Sequence, residues 1–279
     1  MNLTSPSQVK AWCIENGFHP NKVLGQNFLI DRNALVAIVD AGFAGMDPEG
    51  LDVLEIGPGL GVLTEEMLAR GARVTAVEKD PPLAARLADA LGRPERLKVV
   101  EGDALDVIAD RSLGTFSCMV SNLPYQAGTR ILLELVQMRE MPSMTVLIQT
   151  EVAERLAAKE GSKTRGLAGV WAQLDYDVKI VRKVAASCFW PRPEIGSSVV
   201  TLTRHDRNAG LSERERALFH RVTKQAFEHR RKQLGAIFKG VIESTARAEQ
   251  LSVEDWIALS ALVLSGQPVV RFGHGNAGQ

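Results

Sequence analysis

Short apolar runs alternate with stretches of helical spacing along the first 150 or so residues. Asp52–Ile56 (DVLEI), Arg73–Val77 (RVTAV), Leu97–Val100, Phe116–Ser121 and Thr145–Gln149 read as five strands. Between them, Gly61–Arg70 sets Leu63, Met67 and Leu68 at helical spacing, and Pro81–Leu91 and Thr129–Gln137 read as further helices. Another helix starts near Glu151. Ahead of the first strand, Pro6 opens a short helix because proline suits a first helical turn, and Asp31 caps a helix that runs to Asp40. His19–Leu29 reads as a loop. Strands and helices in this alternation predict a parallel sheet covered on both faces.

The pattern changes after Gly166. A helix to about Gln173 leads to the strand DVKIVRKV, a proline-rich loop FWPRPEIGS, and the strand SVVTLTR, which together predict a terminal strand pair on the sheet. The polar stretch HDRNAGLSERE reads as a linker, and residues 212–264 show only helical periodicity. A boundary near residue 206 follows, with domains at 1–206 and 207–279. Phe219, Val222 and Phe227 are spaced for one buried helix face. The glycine-rich tail after Pro268 is expected to be mobile.

Composition narrows the function classes. No apolar run approaches the roughly 18 residues of a membrane span, and the N-terminal segment lacks the apolar stretch of a signal peptide. Cys13, Cys118 and Cys188 are far apart, and the five histidines have no ligand spacing, so neither disulfides nor a metal is expected. A cytoplasmic monomer, away from any membrane, is the expectation. Net charge is zero, but its distribution is uneven. Residues 31–110 hold 8 Lys/Arg against 16 Asp/Glu, whereas residues 151–240 hold 18 against 10. Such polarity can set a basic surface on one side of a neutral protein, and equally fits ordinary solvated charge.

The first strand runs into Gly57-Pro58-Gly59-Leu60-Gly61, and a helix follows. Glycines let the main chain turn sharply and let a ligand approach it closely. Glu78 ends the second strand, where an acid can accept from ribose hydroxyls, and Asp103 follows the third, where a carboxylate can reach an adenine amine. The spacing is GxGxG rather than the GxGxxG of dinucleotide binders. The ordered set suits an adenosyl ligand lying across the carboxyl ends of the strands.

After the fourth strand comes Asn122-Leu123-Pro124-Tyr125. Asn-x-Pro is also ordinary turn chemistry, but this turn closes a central strand beside the proposed cofactor. The Asn122 side-chain carbonyl and the Leu123 main-chain carbonyl can accept both hydrogens of an exocyclic amine. That aims the nitrogen lone pair at a methyl donor. Pro124 stiffens the turn, and Tyr125 offers a face for a splayed-out base. A neutral amine needs no general base before attack, so the chemistry is positioning and electrostatics.

Glu-Ile-Gly-Pro-Gly-Leu-Gly followed by Asn-Leu-Pro-Tyr resembles the ribosomal RNA adenine N6,N6-dimethyltransferase family, in its small-subunit form. Leu24–Leu29 (LGQNFL), Gln149–Leu156 (QTEVAERL), Gly161-Ser162-Lys163, Phe189–Pro193 (FWPRP) and Arg230-Arg231-Lys232 resemble its further motifs in the same order. The resemblance implies an α/β fold: a Rossmann-like class I S-adenosylmethionine-dependent methyltransferase sheet with a small all-α C-terminal domain. It implies S-adenosylmethionine held by Asn27, Leu29, Gly57, Gly59, Glu78, Asp103 and Asn122, and no metal. The target adenine would be held by Asn122, Leu123, Pro124 and Tyr125, with Phe189 as a second aromatic wall opposite Tyr125. Arg221, Lys224, Arg230, Arg231 and Lys232 would contact RNA phosphates.

The implied partner is small-subunit ribosomal RNA in an immature 30S particle, where two adjacent adenosines near the 3′ end each receive two methyl groups. The chain departs from the family pattern at Gln126–Arg130, at Glu194 and at Gly196. Other readings are a large-subunit enzyme of the antibiotic-resistance type, a non-catalytic RNA-binding assembly or transcription factor on the same fold, and a nicotinamide oxidoreductase. The GxGxG spacing disfavours the last.

Overall fold

The computed structural model describes residues 1–21, 24–92, 94–111 and 113–265, with the backbone of 270–271. Apart from that pair, the tail expected to be mobile lies outside the described residues. In chain order the strands are β1 (Phe28–Leu29), β2 (Asp52–Ile56), β3 (Arg73–Glu78), β4 (Leu97–Glu101), β5 (Cys118–Asn122), β6 (Ser143–Gln149), β7 (Tyr176–Val184), β8 (Phe189–Trp190) and β9 (Ser197–Arg204). Seven of these form one sheet in the order β4-β3-β2-β5-β6-β9-β7. Strands β2 to β6 pair in parallel. β9 runs antiparallel to β6 in unbroken register from Ser143↔Thr203 to Gln149↔Ser197.

Burial explains why these runs form strands. Val53, Leu54, Glu55 and Ile56 are all buried, as both faces of a covered parallel strand must be. The helices of this part are α1 (Pro6–Glu15), α2 (Arg32–Gly42), α3 (Val62–Ala69), α4 (Pro81–Ala90), α5 (Ala104–Ala109), α6 (Gly128–Met138) and α7 (Thr150–Ala157). Val53, Ala76, Val120 and Leu147 of the sheet share one apolar cluster with Ile38 of α2, Met67 of α3 and Leu83 of α4. The Asp31 carboxylate accepts from the Ala34 amide at 2.8 Å and caps α2, a bond worth about 1 kcal/mol.

The order places β3 on one side of β2 and β5 on the other. Strand order reverses there, so a crevice opens beyond the carboxyl ends of β2 and β5, where open α/β sheets take ligands. Two features have no local signal. α5 spans six residues, too few to show a period. β1 and β8 fall in stretches that read as loops, and pair with each other across 162 and 160 positions, as Phe28↔Trp190 and Leu29↔Phe189.

The chain divides into two compact units, Met1–Ala153 with Asp177–Arg204, and Glu154–Tyr176 with His205–Gln279. A boundary near 206 alone leaves residues 154–176 with the sheet. In the structure they pack in the helical unit, because α8 (Leu167–Asp175) carries Val170 and Leu174 into its core. That core also takes Leu218, Phe219 and Val222 of α9 (Glu213–Glu228), Leu234 of α10 (Leu234–Ile237), and Trp256 and Leu259 of α11 (Val253–Ser265). Phe227 packs against it from a half-buried position.

The linker reading of 205–215 runs too far. Ser212 and Glu215 form a reciprocal capping box, so α9 begins at Glu213. Between α10 and α11 a two-residue strand, Ile242–Glu243, interrupts the helical periodicity.

A buried ion pair sits inside this unit. Arg216 Nη1 donates to both oxygens of Asp175 at 2.8 Å, and both residues are buried. The remaining guanidinium nitrogens donate to the Asn208 and Leu211 carbonyls. Removing one partner strands the other charge away from water. Asp175→Ala should therefore lower the stability of the helical unit by about 3–5 kcal/mol in urea unfolding; a loss well under 1 kcal/mol would show that solvent reaches Arg216.

Candidate active site

The loop after β2 is shaped by its glycines. Gly59 has φ +58°, and a Cβ there would stand 3.0 Å from the Phe28 ring. Only glycine combines that conformation with so close an approach. Gly57 and Gly61 share the positive φ. The Gly59 amide donates to Glu78 Oε2 at 3.0 Å, and the Asp80 amide donates to Oε1 at 2.9 Å. Main-chain donors thus fix the Glu78 carboxylate at the end of β3. Burial pushes its pKa up, while these bonds from Asp80 and Gly59 draw it down. Each oxygen keeps a second lone pair for a ligand hydroxyl.

Asp103 ends the next turn of the site. Its Oδ1 accepts from the Leu105 amide at 2.9 Å and caps α5. Its Oδ2 accepts from the Lys79 ammonium at 2.7 Å. That hydrogen bond holds the Asp103 carboxyl below the usual carboxylate range, with the Leu105 amide adding to it.

Asn122 closes β5. Its Nδ2 donates to the Asn27 carbonyl at 3.2 Å, while its Oδ1 is buried and has no hydrogen-bond partner. The turn behind it is pinned by Leu123 N to Leu147 O at 3.1 Å and by Gly128 N to Pro124 O at 2.7 Å. The N-terminal loop lies over this turn. Gly25, at φ +68°, would bring a Cβ to 3.3 Å from the Tyr125 amide nitrogen. Gln26 latches the same loop, accepting from the Asn21 amide at 2.7 Å and donating to Asp80 Oδ2 at 2.6 Å. Tyr125 is half-buried, and its hydroxyl lies 2.6 Å from the Ser197 hydroxyl.

These groups surround a cavity of about 200 Å³ at the carboxyl ends of β2 to β5. Asn27, Leu29, Gly57, Gly59, Glu78, Asp103 and Asn122 all line it, as do Leu123, Pro124 and Tyr125. Phe189 does not. Pairing beside Leu29 leaves it buried in the apolar cluster, 2 % exposed. Arg221 and Lys224 are exposed on α9, and Arg231 and Lys232 in the turn after it. Arg230 is partly exposed, donating to the Lys163 carbonyl and standing 3.6 Å from the Glu249 carboxylate.

Sequence reasoning missed Gln26 and Glu55 as individual lining residues of the cavity, and Asp80 and Ser197, which bond to Gln26 and Tyr125. Among the described residues no group of His, Cys, Asp and Glu is placed to hold a metal, and no helix is long and apolar enough to cross a membrane.

A mostly parallel seven-stranded sheet, with a glycine loop and strand-end acids around a crevice at its switch point, defines a Rossmann-like methyltransferase. The sequence pattern of the ribosomal RNA adenine dimethylase family matches residues 17–262. The chain belongs to that family.

Among its relatives, the ribosomal RNA small subunit methyltransferase A of Deinococcus radiodurans is 46 % identical over 200 residues, covering 72 % of this chain and 67 % of the relative. The protein of the same description from Ruegeria sp. is 40 % identical over 268 residues, covering 88 % and 92 %. Two solved structures share the fold. A dimethyladenosine transferase from Plasmodium falciparum has a TM-score of 0.72 at 21 % identity, covering 85 % of this chain and 98 % of its own. The 23S rRNA methyltransferase ErmE has a TM-score of 0.63 at 24 % identity, covering 85 % and 99 %.

Glu55 sits under the glycine loop, fully buried. Burial pushes its carboxyl up to about 8; the bond from the Thr64 hydroxyl at 2.6 Å opposes this and the Glu78 charge adds to it. In the unfolded chain the group ionises near its ordinary value of 4.5, so the folded state binds more protons from there to about 8. Stability contributed by the protonated form is complete below that window and is lost as pH rises through it. At roughly 1.4 kcal/mol per pKa unit, the loss is roughly 3 kcal/mol by pH 7. Glu55→Gln carries no such proton, so it should gain stability over the parent as pH rises from about 5 to about 8 in urea unfolding. Parallel pH profiles for the two proteins would rule this out.

Proposed function

We propose that this chain uses S-adenosylmethionine to place two methyl groups on the N6 amine of each of two adjacent adenosines near the 3′ end of small-subunit ribosomal RNA. Family membership and relatives named for the small subunit support the reaction and its RNA. The observation that carries the chemistry is Asn122 Oδ1, a buried acceptor with nothing to accept from. Buried polar groups are rarely left unpaired, and an orphan that lines a cavity is accounted for by a ligand donor. An adenine amine is such a donor.

The cavity residues fit the cofactor. Glu78 presents two oriented oxygens for ribose hydroxyls, and Asp103 one carboxylate for an adenine amine. The glycine loop offers main chain unobstructed by side chains, and Asn27 and Leu29 close the cavity from the N-terminal side. When bound, S-adenosylmethionine supplies an electrophilic methyl group on a sulfonium.

The protein's own part is placement. Asn122 Oδ1 and the Leu123 carbonyl accept the two hydrogens of the target amine, which leaves its lone pair directed outward. Tyr125 supplies a stacking face, and Pro124 keeps the turn from relaxing. The amine loses its proton only as the new bond forms, so no residue must remove it first.

The sheet unit, Met1–Ala153 with Asp177–Arg204, carries this catalysis in the proposal, and residues 207–279 of the helical unit contribute RNA contact. Arg221, Lys224, Arg231 and Lys232 face solvent and serve as phosphate contacts, while Arg230 shapes the turn that presents them. The partner is the immature 30S particle, met by a cytoplasmic monomer.

The test supplies methyl-labelled S-adenosylmethionine with undermethylated small-subunit particles, with large-subunit RNA, or alone. Label should appear as dimethyladenosine in the small-subunit RNA. Label confined to large-subunit RNA would contradict the proposed substrate, and none at all would point to a non-catalytic RNA binder. In the same assay Asn122→Ala should lower kcat by about 10²–10³-fold, as removal of one oriented transition-state contact does, while RNA binding stays near normal.

A further inference from the structure

Tyr125 and Ser197 lie 72 positions apart, yet their hydroxyls meet at 2.6 Å. The two residues are held very differently. Ser197 is fully buried at the first position of β9 and pairs with Gln149 at the end of β6. Its surroundings are fixed from both sides. The Thr150 amide donates to the Gly196 carbonyl at 3.0 Å, and the Thr150 and Ser198 hydroxyls meet at 3.0 Å. Tyr125 sits in the irregular turn between β5 and α6. Its hydroxyl lies at the far end of the side chain, so one bond there restrains the swing of the ring. Phe189 does not line the cavity, which leaves Tyr125 as the ring of the catalytic turn.

Dimethylation makes ring restraint consequential. After the first transfer, the monomethylated base either stays for a second methyl group or leaves. The product ratio reports that competition. A ring free to swing favours departure.

We propose that Ser197 is a positioning residue: its hydroxyl holds the Tyr125 ring as the wall against which the target adenine lies, and so retains the monomethylated base for its second methyl group. This rests on the reaction proposed above.

Ser197→Ala, Tyr125→Phe and the double variant of the full chain are compared with the parent on undermethylated small-subunit particles, and the nucleosides are separated. Each single variant should raise the ratio of monomethyladenosine to dimethyladenosine several-fold, and the double should do no more than the larger single. Compared at equal total methyl incorporation, a merely destabilised enzyme would keep the parent ratio. An unchanged ratio in Ser197→Ala, or single effects that multiply in the double, would overturn the proposal.

A second readout does not need activity. The chain has two tyrosines, Tyr125 and the buried Tyr176. Burial pushes the Tyr125 phenol above its ordinary pKa, and the bond to Ser197 draws it down. Tyrosinate absorbance should therefore show one of the two titrations moving upward in Ser197→Ala, and the same one missing in Tyr125→Phe. If the parent makes no methyladenosine, the reaction reading fails while this titration still decides the bond. An upward shift supports Ser197 as the holder of the ring, and no shift overturns it.

Discussion

The side-chain amide of Asn122 can face only one way if the candidate active site is to work, and the surrounding structure is arranged around that orientation. Its Nδ2 donates to the Asn27 carbonyl, which commits Oδ1 to the cavity with no protein partner. A buried acceptor left unmade costs about 1–3 kcal/mol, and the sheet has to hold it there. It does so by fixing Asn122 as the last residue of β5, between β2 and β6, and by tying the next amide, Leu123, to Leu147 of β6. The Asn27 carbonyl is fixed in turn by the N-terminal loop. Gly25 packs against the Tyr125 backbone, and Gln26 ties the loop to Asp80. The acceptor is thus set by contacts from four separate stretches of chain.

The acids around the cavity follow from the same architecture. Glu55, Glu78 and Asp103 are close in space but meet different surroundings. Glu55 is fully buried under the glycine loop and stays protonated at neutral pH. Glu78 is buried but met by two main-chain amides that orient it toward the crevice. Asp103 is more open and neutralised by Lys79. One strand-end carboxyl therefore acts as a structural hydrogen-bonding group, while the other two remain oriented acceptors. The acidic excess of residues 31–110 belongs in part to this cavity.

Much of this was legible in the sequence, because it is written locally. DVLEI running into glycines, Glu78 and Asp103 at the ends of the next two strands, and Asn-Leu-Pro-Tyr after a central strand all place their side chains by strand direction alone. The contacts that were not legible join distant positions. Nothing near Ser197 announces Tyr125, and nothing near Phe28 announces Trp190. Phe189 was expected at the cavity from family resemblance, yet the register of β1 with β8 leaves it in the core. A boundary near residue 206 puts residues 154–176 with the sheet, and only the packing of Val170 and Leu174 reveals that they belong to the helical unit. α9 was legible once Ser212 and Glu215 are read as a capping box rather than as linker.

The central claim is that Asn122 presents a free acceptor to an adenine amine. A crystal structure of the chain with adenosine and S-adenosylhomocysteine tests it most directly. The adenosine N6 should lie within hydrogen-bond distance of Asn122 Oδ1, with Nδ2 still on the Asn27 carbonyl and the base against the Tyr125 ring. An N6 amine held by other acceptors, or an Asn122 amide turned so that Oδ1 meets protein, would contradict it.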